Sequence, residues 1–100
     1  MSEVNKEEIN IALSKVMDPE IGIPITEMKL VDKVDIRGGV VTVDFHLTAM
    51  MCPPVFAIKM AEDIKESLSK VPGVESVKIH LTKYYMADLI NKRVNGPNKL

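Results

Sequence analysis

The chain has 100 residues, 46% of them apolar and 27% charged, with a formal net charge of −1, which suits one compact domain and no more. The charges are interspersed, so there is no basic stripe for nucleic acid or an anionic membrane. No apolar run approaches the roughly 20 residues of a membrane span, and a single cysteine excludes an internal disulfide framework. The polar, acidic start "MSEVNKEEIN" does not read as a signal peptide, and a cytoplasmic protein is expected.

In "NKEEINIALSKVMD" the apolar residues Ile9, Ala12, Leu13, Val16 and Met17 fall at helical spacing, with Asn5 or Ser2 as cap and Glu7 and Glu8 at the positive end. "MDPEIGIPITEM" breaks the pattern through Pro19, Gly22 and Pro24 and reads as a long connecting loop. "LVDKVDIRGGVVTVDFHLT" reads as a β-hairpin turning at Gly38-Gly39. Val34, Ile36, Val41, Val43, Phe45 and Leu47 lie on one apolar face, with Thr42, Asp44 and His46 on the other. "PPVFAIKMAEDIKESLSKV" is the strongest helix, with a stripe of Ala57, Ile58, Ala61, Ile64, Leu68 and Val71 and a stop at Pro72-Gly73. "VESVKIHL" gives a third strand facing inward through Val77, Ile79 and Leu81, and "YYMADLINKRV" a short terminal helix. The expected fold is an α/β (α+β) two-layer sandwich of order α-β-β-α-β-α. A small three-stranded mixed sheet carries its helices on one face. The whole chain, 1–100, reads as one domain with its core at about 5–82 and a C-terminal helix and tail over 83–100.

The only cysteine, Cys52, stands where the second strand has ended and the strongest helix begins. Proline suits the first helical turn, so Pro53 or Pro54 marks it and Cys52 lies at or beside the N-cap. The unsatisfied N–H groups there favour a thiolate over a thiol whose free pKa is about 8.5. A thiolate binds metals or attacks electrophiles; the alternative is a small buried hydrophobe. Asp18 and Glu20 cap and open a turn in the long loop, or line a site around Cys52. His46 and His80 read as surface residues. No closed metal-ligand spacing, P-loop, Gly-x-Gly-x-x-Gly or Gly-x-Ser-x-Gly occurs. The α-β-β-α-β order is shared with KH domains, but the Gly-x-x-Gly clamp is missing and the charge is wrong for RNA.

Three pieces in order, "VMDPEIGIPI" at 16–25, "TAMMCP" at 48–53 and "PGVESV" at 72–77, resemble the iron–sulfur assembly family that includes the SufT and PaaD proteins. The resemblance implies an α/β fold and a role in maturing iron–sulfur proteins. It makes Cys52 the cluster-binding residue, with Asp18, Glu20, Thr48 and Pro53 lining the site. Family members usually carry Leu-Gly before the first strand, where this chain has Met28-Lys29. A cluster needs four protein ligands, most often cysteines, and one thiol cannot supply them. The expected cofactor is therefore a transient iron–sulfur cluster, with none obligatory for folding. The expected partners are proteins of the assembly machinery and client apoproteins. Sharing a cluster between two copies allows a homodimer, and neither nucleic acid nor membrane is expected as a partner. The resemblance implies a carrier, scaffold or recruiting adaptor, and an enzyme is not expected. The alternatives are a thiol-dependent enzyme with Cys52 as nucleophile and His46 or Asp18 as base, or a non-catalytic protein-binding module.

Overall fold

The computed structural model describes residues 4–19, 21–48 and 53–95. The elements run α1 (Lys6–Leu13), β1 (Val31–Arg37), β2 (Val40–His46), α2 (Pro54–Ser69), β3 (Ser76–Thr82) and α3 (Ala87–Asn95). The expected order is present. One sheet of order β1-β2-β3 pairs β1 with β2 antiparallel and β2 with β3 in parallel, so it is mixed.

Asn5 opens α1 with an extended backbone, and its Oδ1 accepts the N–H of Glu7 at 2.8 Å and of Glu8 at 3.3 Å. Ile9, Ala12 and Leu13 are buried. The helix ends at Leu13, although apolar spacing predicted that it would continue through Met17. Residues 16–18 instead run antiparallel to residues 23–25. The Asp18 N–H donates to the Ile23 carbonyl and the Ile25 N–H to the Val16 carbonyl, both at 2.9 Å, and Met17 bridges Pro24. Backbone groups committed to this pairing cannot extend a helix. Val16 stays buried, but Met17 is left 46% exposed.

The second half of the loop is also ordered. The Leu30 N–H donates to the Ile25 carbonyl at 3.0 Å and the Lys29 N–H to the Thr26 carbonyl at 3.2 Å. These are the two bonds of a Schellman cap, and buried Ile25 and Leu30 fall at the positions of its apolar contact. The cap requires a left-handed residue at position 29, and Lys29 takes it with φ 59°. A side chain there costs about 1–2 kcal/mol. Glycine relieves that cost but loses more entropy on folding. Lys29→Gly is therefore expected to stabilise the fold by roughly 0.5–1 kcal/mol, read as a higher urea midpoint at unchanged slope.

The hairpin turns where expected. Arg37 pairs with Val40 across Gly38 and Gly39, and Gly38 has φ 60°. Gly39 is held for a different reason: its carbonyl accepts the Glu75 N–H at 2.7 Å, and at that approach a Cβ on it would lie 2.6 Å from Glu75 Cγ, so the Glu75 side chain would have to shift. Val41, Val43 and Phe45 of β2 and Val77, Ile79 and Leu81 of β3 are buried on the inner face. On the outer face Thr42, Asp44 and His46 are half-buried and Lys78 and His80 exposed, so none of the described helices covers it. Two acid–histidine contacts cross that face, His46 Nδ1 to Asp32 at 2.9 Å and His80 Nδ1 to Asp44 at 3.3 Å.

Helix α2 links the parallel strands and buries Ala57, Met60, Ala61, Ile64 and Leu68. Met60 therefore takes the place on the stripe that the spacing assigned to Ile58, which is half-buried. Both residues fit a 3.6-residue period, and only the docking of the helix separates them. Ser67 Oγ donates to the Ala12 carbonyl at 2.8 Å and ties α2 to α1.

The terminal helix lies along the open edge of β3. The Asn91 Oδ1 accepts the Leu81 N–H at 2.8 Å, and its Nδ2 donates to the Leu81 carbonyl at 3.1 Å. Asn95 does the same with Ile79, at 2.9 and 2.6 Å. Each carboxamide supplies the acceptor and donor that a neighbouring strand would have supplied.

Candidate functional site

Parallel pairing brings the carboxyl ends of β2 and β3 together, with His46 opposite Thr82. From the β2 end the chain runs through Leu47 and Thr48 toward the start of α2. Pro53 is the N-cap of α2, with φ −58° and no side-chain capping bond, and Pro54 is the first helical residue. Pro53 thus stands where the sequence placed it. Cys52 and Glu20 lie outside the described residues, as do Met50 and Met51.

Asp18 is the anchor of the described part. It is 4% exposed, the one buried charged residue among the described residues. Its Oδ1 accepts the Ile21 N–H at 3.2 Å, and its carbonyl accepts the Gly22 N–H at 2.8 Å. Gly22, at φ 81°, lets the chain reverse. Asp18 therefore caps a tight turn, as the sequence suggested. Its other oxygen, Oδ2, lies 3.5 Å from Thr48 Oγ1, the long end of hydrogen-bond range. Thirty positions separate these two residues. Their contact joins the Asp-Pro-Glu piece of the loop to the Thr-x-x-x-Cys-Pro piece that leads into α2.

Apolar residues near this turn remain in water. Ile21 and Ile23 flank it, and Val55, the second residue of α2, is 65% exposed. A groove between α1 and α2 adjoins the loop, with Ile11, Val16, Met17, Pro19 and Val71 in its walls and Lys15, Lys59, Glu66 and Lys70 among its charged residues. Tyr84 carries no motif that marks it in the sequence. It follows β3 as Thr48 follows β2, is buried, and sits edge-on to Tyr85 at 5.0 Å between ring centroids. Only the parallel register reveals that it stands at this end of the sheet. Among the described residues no group of three or more His, Cys, Asp or Glu side chains is placed to hold a metal ion.

The sequence that folds this way is matched over residues 6–81 by the family model described as iron–sulfur cluster assembly protein. The chain belongs to that family. It is 35% identical over 82 residues to the Fe-S protein maturation auxiliary factor YitW of Bacillus subtilis (strain 168), covering 81% of this chain and 78% of that protein. It is 38% identical over 77 residues to an iron–sulfur cluster carrier protein of Mycobacterium leprae (strain TN), covering 76% of this chain. The match spans only 20% of that carrier's length. Among solved structures, a domain of unknown function, DUF59, from Bacillus anthracis superposes with a TM-score of 0.69 at 21% identity, over 90% of this chain and 87% of that one, and shares the fold.

Asp18→Ala removes the turn cap and is expected to cost about 0.5–2 kcal/mol, by analogy with helix caps. Thr48→Ala, which removes only the long contact, is expected to cost less than Asp18→Ala. Urea unfolding of the two variants beside the parent checks the order, and a larger loss for Thr48→Ala would reject Asp18 as the anchor.

Proposed function

We propose that the protein serves iron–sulfur cluster maturation as a carrier, scaffold or recruiting adaptor, and that Cys52 is the residue that takes iron or cluster. The observation that supports this best is the contact between Asp18 and Thr48, which joins the two motif pieces across thirty positions of the chain. Asp18, Glu20, Thr48 and Pro53 are then the lining of the site. The chain has one thiol, so a four-ligand cluster needs ligands from outside it. Such a cluster is cargo, held openly and passed on, with no catalytic turnover. The exposed Ile21, Ile23 and Val55 suit transient contact with machinery proteins and client apoproteins. The whole chain, 1–100, works as one unit in this role.

Anaerobic reconstitution with iron and sulfide, followed by absorbance, tests the thiol. The parent is expected to take up visible absorbance, and Cys52→Ser to lose it while keeping the parent's thermal unfolding. A serine variant that binds iron and sulfide as well as the parent would reject Cys52 as the ligand.

The competing thiol-enzyme reading draws on one observation. Asp32 contacts Nδ1 of His46 at 2.9 Å, the kind of orienting contact that a general base requires. The rate of Cys52 alkylation against pH separates the two. A midpoint below about 8.5 is expected from the helix N–H groups, and His46→Ala should leave it in place. A midpoint that moves with His46→Ala favours the enzyme.

A further inference from the structure

The open edge of β3 is covered by the wrong kind of element for an edge. Ile79 and Leu81 direct their N–H and C=O groups away from β2, and four hydrogen bonds from two side chains satisfy them. Edge-facing residues recur about every 6.6 Å along a strand, and positions i and i+4 of a helix lie about 6 Å apart. That match lets α3 run antiparallel to β3, so that Asn91 reaches Leu81 and Asn95 reaches the earlier Ile79. The hold is modest. The helix has nine residues, below the ~12–15 at which an isolated helix is even marginal. It buries Ile90 and Val94, and Lys65 Nζ donates to the Val94 carbonyl at 2.6 Å. It also lies beyond residue 81, where the family match ends.

We propose that α3 is a removable cover over a strand-pairing site on β3, and that the strand it holds off is β3 of a second copy of this chain. The two amide rings reproduce the paired bonds of an antiparallel neighbour, so the occupant is an antiparallel strand. The alternation of β3 makes it its own complement. Pairing centred on Ile79 sets Ser76 against the second copy's Thr82 and Val77 against the second copy's Leu81. The buried apolar face thus continues across a two-fold axis. On the outer face Lys78 meets the second copy's His80, beside the Asp44 that already contacts that ring. The carboxyl ends of the joined strands point in opposite directions. Such a dimer holds two separate Asp18–Thr48 contacts. The proposal stands apart from the iron–sulfur reading.

The test is the mass in solution of the full chain carrying Asn91→Ala and Asn95→Ala, by light scattering, with hydrogen exchange at the Ile79 and Leu81 amides. Removing both carboxamides is expected to double the 11.1 kDa mass while the two amides stay protected. Adding His80→Lys sets like charges across each Lys78 pair and should return the monomer with fast exchange. A folded double variant that stays monomeric at every concentration overturns the proposal. If the double variant does not fold, Asn95→Asp takes its place. It keeps the shape but turns a carboxylate oxygen toward the Ile79 carbonyl, now 2.6 Å from Nδ2, and should shift the mass toward the dimer; a folded monomer again overturns the proposal.

Discussion

The parallel pairing of β2 with β3 is the constraint from which the rest follows. Parallel neighbours cannot be joined by a tight turn, so the chain must leave the sheet after His46, cross above it and return at Ser76. Helix α2 makes that crossing and buries its apolar stripe against the inner face. The same pairing sets the carboxyl ends of both strands side by side and brings the start of α2 to them. Thr48 after β2, Tyr84 after β3 and Pro53 before α2 therefore belong to one end of the sheet.

The long loop closes on that end by two local devices. Asp18 ties down its first half by capping the turn at Gly22, and the Schellman cap at Lys29 ties down the second. Between them they return the chain to β1 with Val16, Ile25 and Leu30 all buried. A carboxylate as enclosed as Asp18 is tolerable only with hydrogen-bond donors beside it, and the Ile21 N–H supplies one. The residue that caps the turn is also the one whose side chain reaches Thr48.

At the opposite side of β3 the problem is different. A sheet of three strands has two edges, and an uncovered edge invites pairing with any passing chain. The outer strand β1 carries Asp32, Lys33, Asp35 and Arg37, several of them exposed, and its register slips between Val31 and Lys33. Charge and irregularity both discourage pairing there. The β3 strand has a cleaner alternation and is covered instead, by two asparagines one helical turn apart.

Much of the architecture was legible because it is local. Gly38-Gly39 between alternating runs specifies a hairpin, prolines followed by an amphipathic run specify α2, and alternation alone told the inner faces of β2 and β3 from the outer. The pieces shared with the family were legible as short motifs, but their meeting was not, since Asp18 and Thr48 are joined only after the loop folds back. The end of α1 was misplaced for the same reason. Val16 and Met17 fit a helical stripe, yet their backbone is claimed by residues 23–25, a competition that apolar spacing does not record. Likewise nothing local distinguishes Asn91 and Asn95 from two surface amides. The sequence by itself determined which side of each element avoids water, because that depends on side chains a few positions apart. The tertiary structure decided which backbone groups satisfy one another, because N–H and C=O groups are the same at every residue and only the closure of the whole chain selects their partners.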